Sequence, residues 1–184
     1  MVRSLIPARR RFLVGGASLL AAGALPARAR AANSPERREL DFFHTHTHER
    51  LDLVYAVGGQ YLDSSLGRLN RFLRDHYSGE VGQMDPLLFD QLHQVRALLG
   101  AEIPYEVISG YRCAQTNARL RHSGGGGVAR KSLHMEGRAI DVRLPGVPLA
   151  ELRDAALSLQ AGGVGFYPDQ QFVHIDTGRV RRWG

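Results

Sequence analysis

The sequence is poor in cysteine, in long apolar runs and in unbalanced charge. Its single cysteine, Cys113, excludes an internal disulfide framework and any Cys-based zinc finger. The longest uncharged apolar stretch, Phe12 to Leu25, is fourteen residues long and too short to span a bilayer as a helix. The formal charge of +6 suggests a polyanion binder, but six arginines and no acid fall within residues 1–32. Without them, 18 basic residues face 18 acidic ones, and no aromatic residues interleave with the basic ones. Nucleic acid is therefore not an expected partner. With 43% hydrophobic and 23% charged residues in 184, the chain can bury the core of one ordinary domain.

The first 31 residues have the three parts of an export signal. Arg9-Arg10-Arg11-Phe12-Leu13 resembles the twin-arginine (Tat) consensus, and the short apolar stretch ends at Pro26. Ala29-Arg30-Ala31 is a small-x-small cleavage pattern, so cutting is expected after Ala31, with Ala27-Arg28-Ala29 as a second site. The expectation is a Tat signal over 1–31 and one domain over 32–184, exported to the periplasm by the Tat machinery and left with no stable membrane anchor. Cys113 is then expected to be buried and structural.

Periodicity divides the remainder into short elements. Arg37 to His46 and Leu51 to Val57 alternate as a hairpin. Ser64 to His76 fits a helix capped by Ser64, with Leu66, Leu69, Phe72 and Leu73 on one face. Asp85-Pro86 opens a helix that Gly100 ends near Leu99. Tyr105 to Ser109 reads as a strand, Ala114 to Arg121 as a helix, Ala139 to Arg143 as a strand and Pro148 to Gln160 as a helix. Val164 to Tyr167, Phe172 to Asp176 and Val180 to Trp183 read as strands. Helices early and strands late suggest an α+β fold, helices packed on a small, mainly antiparallel sheet. Gly124 to Gly127 reads as a flexible loop.

Chemistry concentrates in Ser132 to Asp141, which reads SxHxxGxAxD. Gly137 permits a turn that brings His134 back beside Asp141, itself within a strand. One imidazole and one carboxylate make two-thirds of a hydrolytic zinc site, and His174 in Phe172-Val173-His174-Ile175-Asp176 is the best third donor. Such a site keeps a position for water, which the metal activates. Arg112, in Ser109-Gly110-Tyr111-Arg112 at a strand end, can hold an oxyanion. Arg119, Arg121, Arg130 and Lys131 flank the glycine run, as a solvated loop or as a mobile basic rim that meets substrate carboxylates. His44, His46 and His48 alternate and could also take a metal, but they lie at a hairpin turn without a ligand-spaced carboxylate other than Glu49. His76, His93 and His122 stand alone.

SGYR, then Asn117, SxHxxGxAxD, Gly163-Val164-Gly165-Phe166-Tyr167-Pro168, FVHxD and Arg182-Trp183, in this order over about residues 38–184, resemble the D-Ala-D-Ala metallopeptidase (LAS-type) family. The likeness is greatest to its exported murein endopeptidase branch. The resemblance implies the hedgehog/D-Ala-D-Ala peptidase fold and Zn²⁺ on His134, Asp141 and His174. It further implies Arg112 as the group that polarises substrate, Ser132 as a substrate contact, and peptidoglycan stem peptides or their cross-links as substrate. Many relatives carry a carboxylate base three residues before the third ligand, where this chain has Gln171, which takes no proton. Asp176, on the same strand face as His174, is the expected base or else the group that orients His174. Glu136 is a weaker choice. The same features leave open a D,D-carboxypeptidase and a non-catalytic, metal-containing cell-wall module.

Overall fold

The computed structural model describes residues 35–123 and 128–184. The leader, its cleavage sites and the glycine run at 124–127 lie outside the described residues.

The chain opens with strands β1 (Arg37–His44), β2 (Arg50–Val57) and β3 (Gln60–Tyr61), followed by helices α1 (Asp63–Phe72) and α2 (Pro86–Leu99). Next come β4 (Tyr105–Ser109), α3 (Ala114–Ser123), a 3-10 turn (Leu133–Glu136), β5 (Ala139–Arg143) and α4 (Leu149–Ser158). Strands β6 (Gly163–Tyr167), β7 (Phe172–Asp176) and β8 (Arg181–Trp183) close the chain. All the described strands form one sheet in the order β3-β2-β1-β4-β5-β7-β6-β8.

The fold is α+β, and its sheet is mixed. Five neighbouring pairs run antiparallel, while β1 with β4 and β6 with β8 run parallel. Three strands precede the first helix, which corrects the expected order of helices early and strands late. The parallel β1–β4 pair has a physical reason: β2, β3, α1 and α2 intervene, which is the long crossover a parallel neighbour requires.

Local chemistry explains most element ends. Leu40, Phe42 and His44 alternate inward along β1, and Leu51, Leu53 and Tyr55 along β2. β1 stops at His44, two residues short of expectation, because the His44 Nδ1 accepts the backbone amides of His46 and Thr47 and starts the turn. In α1 the expected cap Ser64 is not used. The helix starts at Asp63, and the Leu62 carbonyl accepts the amides of Ser65 and Leu66. It ends at Phe72 and not at His76, since the Asp75 carboxylate collects the amides of Tyr77, Ser78 and Cys113. In α2 Asp85 caps Leu87, Pro86 follows, and Gly100 closes in the left-handed region.

Leu88, Phe89, Leu92 and Val95 of α2 are fully buried in one continuous core with Leu40, Phe42, Tyr55 and Tyr105 of the sheet. Each such side chain contributes roughly 1.5–3 kcal/mol by burial. Asp90 of α2 gathers Arg38, Tyr55 and Tyr61, one from each of the first three strands. Cys113 is buried beside Thr116, as a structural thiol should be. Among the described residues, no helix is long and apolar enough to cross a membrane.

Candidate metal centre

Three neighbouring elements bring His134, Asp141 and His174 together. Asp141 on β5 lies directly opposite His174 on β7, and Ser109 of β4 faces Asp141 from the other side. His134 arrives on the 3-10 turn, which reverses at Gly137 with φ near +67°. A Cβ there would stand 1.8 Å from the Gln83 carbonyl oxygen, so only glycine closes this turn.

The inward atoms form a small triangle. His134 Nε2 is 3.2 Å from His174 Nδ1 and 3.3 Å from Asp141 Oδ1, and His174 Nδ1 is 2.8 Å from Asp141 Oδ1. Three donors of a tetrahedral zinc at ordinary bond lengths stand about 3.4 Å apart. The triangle is close to that size, and its members are the one group among the described residues with metal-holding spacing. Outer partners set the tautomers. His134 Nδ1 donates to the Gly110 carbonyl at 2.7 Å, and His174 Nε2 donates to Asp176 Oδ2 at 3.2 Å. Each ring then turns a lone pair to the triangle's centre, so two imidazoles and one carboxylate fit zinc.

Electrostatics agree with a cation there. Burial pushes the His134 ring below its ordinary pKa against the pull of Asp141. At His174 burial acts in the same direction, but the hydrogen bonds to Asp141 and Asp176 outweigh it and push the ring up to about 9. Burial would raise Asp141, yet the two imidazoles facing it, His134 and His174, hold its carboxyl well below the usual carboxylate range. Without metal, a proton on His174 occupies the place a cation fits.

Asp176 is fully buried and its oxygens are engaged. Oδ1 accepts from the amides of Gly163 and Gly178, at 2.9 and 2.8 Å, and from Arg181 at 3.1 Å. Oδ2 accepts from Arg181 at 2.7 Å as well as from His174. Burial alone would raise this carboxyl, but these donors hold it well below the usual range. Of the two roles open to Asp176, this geometry supports the orienting one. Gln171 is exposed and turns its amide to the Pro168 carbonyl. Glu136 is exposed and paired with Arg138.

A cavity of about 470 Å³ opens over the triad. Arg112 lines it, 3.8 Å from Asp141 Oδ2 and 3.2 Å from Ser109 Oγ. Ser132 and Lys131 line it too, and Tyr167, Phe172 and Trp183 form an aromatic wall. Trp183 sits 5.3 Å from the His174 ring and donates its indole N–H to the Tyr167 hydroxyl at 2.8 Å. Arg181 stacks on Trp183 while it grips Asp176. The sequence reading missed Arg181. The available signal was alternation, since Arg181 and Trp183 share one face of β8.

The histidines at the hairpin turn do not join this site. His44 is buried at the end of β1, while His46 and His48 stand exposed in the turn. His46 stacks flat on His76, with ring centroids 4.2 Å apart, so His76 is not alone.

The family model Peptidase_M15_2, described as peptidoglycan L,D-endopeptidase MepK, matches residues 32–183. The chain is 43% identical to the peptidoglycan L,D-endopeptidase MepK of Escherichia coli (strain K12) over 176 residues, covering 95% of this chain and 96% of that protein. It is 40% identical to the probable peptidoglycan L,D-endopeptidase MepK of Haemophilus influenzae over 179 residues, covering 95% of both.

Proposed function

This chain belongs to the Peptidase_M15_2 family, and on that premise we propose that it is a zinc-dependent peptidoglycan endopeptidase hydrolysing an amide bond in stem-peptide cross-links. The observation that carries this reading is the triangle of inward-turned donors on His134, Asp141 and His174 beneath an open cavity. The relatives' printed name, L,D-endopeptidase, favours a bond from an L-centre carbonyl to a D-centre amine. Of the two cross-links, D-Ala to diaminopimelate and diaminopimelate to diaminopimelate, the second has that stereochemistry.

Zinc held there supplies Lewis acidity toward water and toward a carbonyl. The chain's own residues do the rest. Asp176, clamped by Arg181, keeps the His174 N–H on its outer side and the lone pair inward. Arg112 stands over the cavity with its charge beside Asp141 and holds the carbonyl oxygen as negative charge develops there. Ser132 contacts the peptide, and the wall of Tyr167, Phe172 and Trp183 shields the reacting bond from bulk water. The Tat leader takes the protein to the periplasm, where cutting after Ala31 leaves residues 32–184.

One observation favours a second reading. Among the described residues, no carboxylate other than that of Asp141 lines the cavity. A cell-wall module that keeps the metal without turnover would look the same.

Digestion of purified sacculi with the zinc-loaded protein, against a chelated control, separates these readings by the masses of released fragments. Loss of cross-linked dimers with a gain of monomers, only with metal, is the expected result. An unchanged digest with protein still pelleting on sacculi would establish the non-catalytic module. Loss of terminal D-Ala from a monomeric pentapeptide would mark a D,D-carboxypeptidase.

A further inference from the structure

A second concavity, of about 220 Å³, lies away from the metal centre, and Glu49, Arg50, Arg68, Arg71, Phe72 and Arg74 line it. Four arginines here meet one acid, in a chain whose charges balance outside its leader. That acid is already committed. Glu49 accepts from Arg74 through both oxygens, at 2.8 and 3.2 Å, and from the Thr47 hydroxyl. Among the described residues, Arg50, Arg68 and Arg71 have no carboxylate within ion-pair reach. All three are exposed; Arg68 and Arg71 lie three residues apart on one face of α1, and Arg74 follows just beyond its end.

The sheet sets this concavity on the same edge as the metal centre. β1 and β4 run parallel, so His44 and Ser109 finish at one edge, and Ser109 pairs with Asp141. The turn from β1 to β2, which carries Glu49 and leads into Arg50, leaves from that edge. The Tyr111 amide donates to the Leu73 carbonyl at 2.8 Å, which ties the end of α1 to the segment bearing Arg112.

We propose that this arginine concavity is a second binding site for peptidoglycan, holding free stem-peptide carboxylates away from the bond being cut. The proposal rests on the function above for the identity of the polymer. Guanidinium groups suit carboxylates because their planar forks give two parallel hydrogen bonds. A polymer held at two places on one edge gains effective concentration at the metal centre without any stronger contact there. A lipid phosphate would satisfy the same arginines. Membrane docking also needs apolar side chains that enter the bilayer, and Leu51 and Phe72 are only 9% and 5% exposed.

The test pairs Arg68→Glu/Arg71→Glu with Arg68→Lys/Arg71→Lys. Each is measured for pelleting with purified sacculi, for cleavage of sacculi and for cleavage of a soluble cross-linked muropeptide dimer. The Glu variant should bind sacculi about tenfold more weakly, and its cleavage of sacculi should fall in step. The Lys variant should retain most of the binding, and the soluble dimer should be cut at the wild-type rate by both. Added salt at about 0.3 M should erase the difference in binding. Unchanged pelleting of the Glu variant would overturn the proposal, as would an equal loss on the soluble dimer. Wild-type binding to phosphatidylglycerol vesicles that the Glu variant loses would assign the site to lipid instead. A wild-type protein that binds sacculi but cuts nothing would refute the metal-centre function, while the pelleting comparison would still judge the arginine site.

Discussion

At the triad, each imidazole donates its outer N–H to a fixed acceptor, Gly110 O for His134 and Asp176 for His174, and turns its other nitrogen inward beside Asp141. At the hairpin turn the polarity of His44 is reversed. Its Nδ1 accepts the amides of His46 and Thr47, so its proton lies on Nε2, which is buried and has no partner among the described residues. His76 Nε2 is buried and likewise without a partner there, and His46 is stacked flat on the His76 ring. Asp75, the chain neighbour of His76, has spent its oxygens on backbone amides. Both regions concentrate histidine, yet charge and tautomer differ. Carboxylates raise His174, whereas burial holds His44 and His76 at about 4 and neutral. A metal centre is made by the acceptors behind the rings and by a carboxylate between them, not by the number of rings.

The largest effect that could break this comparison is in metal content. His134→Ala should leave the protein without stoichiometric zinc and lower activity by more than about a thousandfold, since a catalytic metal needs all three protein ligands. His44→Gln with His76→Gln should keep one zinc per chain by elemental analysis. Zinc lost from the second protein and kept by the first would exchange the roles of the two clusters.

A smaller effect tests the support behind the triad. Asp176→Asn should weaken zinc by about ten- to a hundredfold in chelator competition, with turnover reduced and restored in part by excess zinc. Normal zinc affinity with turnover abolished would return Asp176 to the role of proton acceptor.

The smallest effect is in stability. His44 and His76 have folded pKa values depressed to about 4 from 6.5. They therefore favour the folded state above pH 6.5, and this contribution disappears as pH falls through 4. Its size is about 2 kcal/mol for each ring after allowance for partial exposure. Urea unfolding of the chelated protein between pH 4 and 7 should show that loss, and the His44→Gln/His76→Gln protein should show a flatter curve. An unchanged slope would mean that these rings are not buried as neutral groups.

Much of the architecture is local and could be read residue by residue. Asp85-Pro86 and Gly100 bound α2 because caps act within one turn. Alternation placed β1, β2, β5 and β7 to within two residues. His134, Asp141 and His174 were recognisable from residue type and order. The start of α1 was not legible, because Leu62, with no side chain to cap, begins the helix through its carbonyl. Nor was the link between His76 and the hairpin turn, which joins positions thirty residues apart across α1.

By itself the sequence determined the leader's charge, the separate elements and the identities of the residues able to bind a cation. The tertiary structure alone decided which of those residues meet. Strand order and register set Asp141 opposite His174, and the turn after β7 brings Arg181 back onto Asp176. The cause is the range of the forces involved. Caps and alternation act within a few residues, whereas register is chosen by burial of a whole sheet face, and a one-residue slip of β7 would turn His174 and Asp176 to the opposite side.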